Sequence, residues 1–509
     1  MSSIGRFGSA FSAVWLCAAL VGCAVGPDYK TPDMAVPASW ANAAKSAGPQ
    51  PAQLADWWTS FGDATLSELI EEAVRKNLDV ASAKAKIREA RATRREKFGA
   101  LAPTLEATAS ATANRSASGT MVSTQGSSGG TQAVSGANQS AAASNYSLFQ
   151  GGFDASWELD IFGANYRSAE AATYSLQAAQ EDLNDTLLTL IGDVAKYYVQ
   201  ARGYAARAAL ARQTAEAYRD TAVLARRKFE AGTTSAADAA KAEGQTYSAE
   251  ADVASLDASY SEAVHRLGVL LGDGPEALVS RLSAKAAIPV PPASPRAGVP
   301  ADILQSRPDV RKAERQLAEA TAKIGKAEAA LYPSVSLTGN ISTTGLQLGE
   351  LAKSSSIGFA IGPSLSLPLF NGGQLRAEVE VAEAQRDQYF VALRSTVLTA
   401  LEDVENALVS LAQDRRRLDK LTASSRSYAD AYELSRALYT AGGQSFLDVL
   451  DAERSLYTAR DSLLQTQVSA ATSYISLCKA LGGGWNRPVD SSRPEIVDTH
   501  TGPHLRTRY

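Results

Sequence analysis

Four stretches of the chain alternate apolar or small residues with polar ones at a period of two. Leu105, Ala107, Ala109, Ala111 and Ala113 alternate with Thr104, Glu106, Thr108, Ser110 and Thr112. Phe153, Ala155, Trp157, Leu159 and Ile161 alternate with Asp154, Ser156, Glu158 and Asp160. Val335, Leu337 and Ile341 alternate with Ser334, Ser336, Thr338, Asn340 and Ser342; Ile357, Phe359, Ile361, Leu365, Leu367 and Leu369 alternate with small or polar residues. Stretches of about ten residues with one apolar and one polar face predict transmembrane β-strands around a wet lumen. The same pattern also suits a β-rich insertion packed on soluble helices. In lipid, four strands cannot stand alone, and their open edges must be completed by other copies of the chain.

The rest of the chain carries helical signals. No proline lies between Pro103 and Pro275, or between Pro368 and Pro488. A proline inside a helix costs about 3 kcal/mol, so its absence permits uninterrupted helices. Ala164 to Glu230 predicts one helix of ~100 Å at about 1.5 Å per residue, and Gly373 to Thr440 an equally long partner. Gly442–Gly443 ends the second, because glycine just past a helix accepts positive φ. Ser445, three residues before Asp448, opens the next helix with a capping box. Asp451 lies one turn further in and shares a face with Asp448.

The chain repeats itself. At an offset of 230, Asp79, Val80, Glu89, Leu101 and Pro103 recur as Asp309, Val310, Glu319, Leu331 and Pro333. At an offset of 210, Ala231, Gly232, Ser235, Asp238, Glu243 and Gly272 recur as Ala441, Gly442, Ser445, Asp448, Glu453 and Gly482. Matched Gly, Pro and Asp in register predict two copies of helix, β-hairpin, very long helix, sharp turn and shorter helix. Asp451 has no counterpart, since Lys241 stands at its aligned position. Residues 114–145, nearly all small and polar, predict a mobile loop joining the first two strands. The expected division is a signal peptide at 1–22, a lipidated extended segment at 23–62, a first repeat at 63–274, a Pro-rich connector without a helix at 275–300, a second repeat at 301–485 and a disordered tail at 486–509.

At the N-terminus, Arg6 precedes an apolar run from Phe11 to Leu20 that is too short to span a bilayer. Leu20-Val21-Gly22-Cys23 fits a bacterial lipobox, in which Cys23 is acylated and becomes the mature N-terminus. An ordinary signal peptide with a chance cysteine is the alternative. Trp57, Trp58 and Phe61 read as anchors of the following segment against the helices.

Composition narrows the chemistry. A formal charge of −4 gives no reason to expect nucleic-acid binding. His265, His500, His504, Cys17, Cys23 and Cys478 have no metal-ligand spacing and form no nucleophile pair, so no metal, cofactor or enzyme site is expected. Asp154, Glu158 and Asp160 read as one polar strand face, and Glu402, Asp403 and Glu405 as a solvated helix face. Cys478 sits among Ile475, Leu477 and Leu481 and reads as packing. Gly482-Gly483-Gly484 ends a helix and opens none, which excludes a P-loop.

Tyr439, Gly442, the run Leu447-Asp448-Val449-Leu450-Asp451-Ala452 and the close Lys479-Ala480-Leu481-Gly482-Gly483-Gly484-Trp485 resemble the TolC-like outer membrane factors, in their lipid-anchored multidrug-efflux branch. Gly26-Pro27-Asp28-Tyr29 resembles the start of mature lipoproteins in that family. The resemblance implies a mainly α fold with a transmembrane β part. Three copies would form a twelve-stranded β-barrel in the outer membrane, continued by an α-helical tunnel in the periplasm. It implies a homotrimer that passes small toxic molecules from an inner-membrane RND-type transporter, through a periplasmic adaptor. Leu447, Asp448 and Asp451 match the periplasmic gate, Tyr439 and Asp238 a hairpin lock, and Gly232, Ser235, Gly442 and Ser445 the hairpin tips on which the adaptor docks. Gln444 departs from the arginine of some members, which weakens a second lock. A polypeptide secretion duct, a nodulation or metal-efflux role, and a structural coiled-coil lipoprotein without a pore remain alternatives. A strict heptad would favour the last; the long helices read instead as Ala-rich and irregular.

Overall fold

The computed structural model describes residues 24–41, 54–115, 145–283, 286–292, 300–302, 306–486 and 489–492. Cys23, most of the loop at 114–145 and the tail beyond residue 492 lie outside them. In chain order the elements are α1 (Ala64–Lys76), α2 (Leu78–Gly99), β1 (Thr104–Arg115), β2 (Asn145–Leu159), α3 (Ala164–Glu230), α4 (Ala236–Leu270) and α5 (Val279–Leu282). The second half contributes α6 (Pro308–Ala329), β3 (Ser334–Gly345), β4 (Ile357–Ser366), α7 (Gln374–Thr440) and α8 (Phe446–Ala480).

The repeat is built into these elements. α3 and α7 each have 67 residues, and α4 and α8 each have 35. Three local expectations change. The connector holds one helical turn, α5, whose Leu282 is buried. β1 runs on to Arg115 and β2 begins at Asn145, so both ends of the expected loop are strand. β2 stops at Leu159, which takes Asp160 off the polar face: its carboxylate accepts from the backbone N–H of Asn165 (3.1 Å) and Tyr166 (2.6 Å) and caps the start of α3.

The chain divides into two compact units. The first takes in the described residues up to Lys30, Arg91–Ser175 and Leu317–Tyr389. Its centre is one antiparallel sheet in the order β1-β2-β3-β4. The register sets Ala107, Phe153, Ile341 and Phe359 side by side, and on the other face Glu106, Asp154, Asn340 and Ala360. The polar face is laced by Thr108 donating to Asp154 (3.1 Å) and by a 2.7 Å bond between the Ser336 and Ser364 hydroxyls. The apolar face is bare, with Leu105 73% and Phe359 81% exposed. A sheet packed on soluble helices would bury that face, so the insertion alternative does not describe this sheet. The outer edges of β1 and β4 pair with no strand among the described residues. At the foot of the sheet the segment after Cys23 is clamped. Val25 N–H donates to Phe162 O (3.1 Å), and buried Arg167 donates to Val25 O, Gly26 O and the Asp28 carboxylate (3.2, 3.1 and 2.8 Å). Gly26 is required there, because a Cβ would stand 2.3 Å from the Gly325 Cα.

The second unit takes in residues Thr31–Ala90, Leu176–Gln316 and Phe390–Tyr509. It repeats its own joints. Asn77 donates to Leu270 O (2.9 Å) and Arg307 to Ala480 O (3.3 Å) at matched positions. Gly272 and Gly482, both at positive φ, let the backbone of residues 76 and 306 approach to where a Cβ would stand at 2.4 and 2.6 Å. Arg307 also reaches Asp403 (3.0 Å), so that acid belongs to a joint rather than to a free helix face. Trp57, Trp58, Phe61 and Tyr474 form an edge-to-face cluster that seats the N-terminal segment. Cys478 is fully buried, and burial pushes its thiol up to about 12, as expected of a packed residue.

Candidate functional site: the hairpin tips

Both tips use the same local chemistry. After α3, Thr233 N–H donates to Lys228 O (2.8 Å); after α7, Gly443 N–H donates to Leu438 O (2.9 Å). These close Schellman turns, with Gly232 at φ 74° and Gly442 at φ 81°. Each next helix opens with a complete capping box. Ser235 Oγ accepts from Asp238 N–H (3.1 Å), and Ser445 Oγ from Asp448 N–H (3.3 Å); each aspartate accepts in return from its serine backbone N–H. Hydrogen bonds from Ser235 and Thr234 hold the Asp238 carboxyl below its ordinary value.

The candidate gate residues share one side of α8. Leu447 is 44% exposed, and Asp448 and Asp451 are exposed, whereas Phe446 and Val449 turn into the core. Asp448 is committed to its cap. Asp451 lies instead along a groove beside Tyr428, Arg454, Ser455 and Thr458, free of any capping task.

Tyr439 is buried at 6% exposure, packs against Phe446, and lies under the Lys228 ammonium, 3.6 Å from its ring centroid. Its hydroxyl has no hydrogen-bond partner among the described residues. Burial, then the charge of Asp238, raises its pKa. The structure therefore brings the two lock residues within electrostatic reach but does not bond them in one chain, because Asp238 is occupied by Ser235 and Thr234.

Residues 69–273 and 299–483 match the model of a family described as outer membrane efflux protein. The chain belongs to that family. Among its relatives in the family, nodulation protein T of Rhizobium leguminosarum bv. trifolii is 35% identical over 467 residues, 92% of this chain and 96% of its own. The toluene efflux pump outer membrane protein TtgC of Pseudomonas putida is 31% identical over 496 residues, 95% of this chain and 97% of its own. Of solved structures, the outer-membrane channel OprN gives a TM-score of 0.81 at 31% identity, covering 91% of this chain and 100% of that one. The open state of the Neisseria gonorrhoeae MtrE outer membrane channel gives 0.75 at 30% identity, covering 91% and 99%. Membership makes this chain an outer membrane efflux component and sets aside the poreless coiled-coil and polypeptide-secretion readings.

Two features of this efflux protein take their meaning from its structure. Arg212, Arg219 and Arg226 of α3 recur every seven residues, and so do Glu243, Glu250 and Asp257 of α4. In the antiparallel hairpin they meet in order: Arg212 with Asp257 (2.5 Å), Arg219 with Glu250, and Arg226 with Glu243 (2.9 Å). A heptad thus staples the first hairpin. At the matched positions the second hairpin has Thr422 with Gln467, Ala429 with Arg460, and Arg436 with Glu453, and no ion pair joins them among the described residues. The second feature is that Glu453 is buried whereas its repeat mate Glu243 is not.

Proposed function

We propose that the chain is one third of a lipid-anchored exit duct of a tripartite efflux pump. The observation that carries this is the sheet. It offers a bare apolar face and two edges that pair with no strand among the described residues, and in lipid such edges must be closed by further copies. Three copies give twelve strands, an even number within the range of bacterial barrels. The helical halves then form the periplasmic tunnel, and the Gly232–Ser235 and Gly442–Ser445 tips offer the adaptor its docking surface. An inner-membrane RND-type transporter supplies the energy, and no catalytic step falls to this chain. The relatives are named for toluene, antibiotics, cations and nodulation. A passive duct passes what its transporter delivers, so small toxic molecules are the expected cargo.

The clamped segment next to Cys23 supports acylation of that cysteine. Residues 25–28 are held near the end of β2 and the start of α3 by Phe162 and Arg167, so the mature chain is fastened just after the proposed acylation site in the sequence. Several chains on one cysteine anchor stably at about 0.8 kcal/mol per buried CH₂. Native mass spectrometry in detergent tests the assembly: a trimer carrying acyl mass at Cys23 is expected, and a stable folded monomer contradicts it.

A further inference from the structure

Near the tips the two hairpins meet across small and apolar side chains: Ala222 and Ala225 of α3 and Ala242 of α4 against Tyr439 of α7 and Phe446 and Val449 of α8. The polar ties across this seam are thin. Arg207 and Asp461 form a bidentate pair (2.7 and 3.2 Å) far from the tip; nearer to it, Lys228 donates to Tyr439 O at 3.3 Å. Into this seam one carboxylate is sunk. Glu453 of α8 is 4% exposed, takes a long 3.4 Å bond from the Thr221 hydroxyl of α3 on Oε2, and leaves Oε1 without a partner among the described residues. Its mate Glu243 is 41% exposed and paired with Arg226. Asp220 and Tyr218 face Glu453 from α3, and Tyr432 and Arg436 from α7, with Glu433 acting on Tyr432 and Arg454 of its own helix on Tyr218.

We propose that Glu453 is a proton-operated latch between the two hairpins: neutral, it lets α8 close against α3, and charged, it loosens the unstapled α7–α8 hairpin. This rests on the tip as the duct's gate. The physical cause is a buried carboxylate with one long hydroxyl bond and, among the described residues, no ion pair, a setting that disfavours its charged form. Burial outweighs Thr221, Arg436 and Tyr432 and pushes the carboxyl up to about 7. An opened, hydrated seam returns it to its ordinary value of 4.5. The closed seam therefore binds the extra proton. Its stability is greatest below the lower value, declines as pH rises between the two, and is lowest above the higher.

Hydrogen exchange of the intact channel in detergent, corrected for intrinsic rates, reads this without using conduction. Protection of amides in 444–456 is expected to fall about tenfold from pH 6 to pH 8, and Glu453→Gln to abolish the fall. Asp448→Asn with Asp451→Asn should leave it in place. A fall of equal size in Glu453→Gln, or one lost only in the double aspartate variant, overturns the latch. Should Glu453→Gln not assemble, Thr221→Val removes one donor to the carboxylate. It is expected to move the midpoint to higher pH, and an unmoved midpoint counts against the proposal. A channel that shows the pH step but conducts no ions would leave the latch standing and sink the duct.

Discussion

Ser445 and Asp448 divide the two acids of the candidate gate by role. Asp448 is tied to the cap of α8, whereas Asp451, exposed on the same helix, takes no part in that cap. Ser445→Ala is therefore expected to cost about 1 kcal/mol in thermal denaturation and to leave ion selectivity alone. Asp451→Asn should do the reverse: an unchanged melting temperature and weaker cation preference in single-channel recordings, because like charges gathered at a mouth attract cations. Equal selectivity in wild type and Asp451→Asn removes the ring. Tyr439→Phe deletes only a hydroxyl without a partner among the described residues, so the fold should hold. Raised conductance is expected if that hydroxyl grips a neighbouring copy in the closed state, and unchanged conductance takes Tyr439 out of the lock. The caps were legible because Ser-x-x-Asp after a glycine is local chemistry. The burial of Glu453 was not, because its aligned mate Glu243 is the same residue type yet is only partly buried and paired with Arg226. Only the helix packed opposite distinguishes the two.

At the scale of elements, the two hairpins have equal lengths but unequal fastening. Three Arg–acid pairs in heptad spacing tie α3 to α4, and their counterparts are absent between α7 and α8 among the described residues. Each pair is exposed and individually weak, yet a run of them in register resists separation of the helices. Amides of the α7–α8 tip should therefore exchange faster than those of the α3–α4 tip, and Arg219→Ala with Arg226→Ala should bring the first tip toward the second. Equal exchange of the two tips in wild type contradicts the staple. The strands and the long helices were readable from period two, proline placement and turn glycines. Alanine between the charges hid the Arg heptad. The early part of β2, Asn145 to Gly152, has no clean alternation, and its strand form comes from pairing with β1 and β3. α5 was not legible because the prolines at 275 and from 289 onward mask a short proline-free run, Glu276 to Ile288, that can hold one helical turn.

For the whole molecule, an exposed apolar sheet face and edges that pair with no strand among the described residues carry the proposal that further copies complete the sheet, and the chain belongs to a family of outer membrane efflux proteins. The same logic makes the proposed anchor secondary: Cys23→Ser should impair processing and yet leave part of the barrel assembly, read as residual trimer in the outer membrane fraction. The central claim is that the assembled protein is a passive conduit gated at its periplasmic tips. Its most direct test is to reconstitute the purified trimer in a planar lipid bilayer and record current without transporter, adaptor or ATP. Discrete, cation-preferring conductance steps are the predicted result. A correctly folded, membrane-inserted trimer that carries no current at any voltage or pH would contradict it.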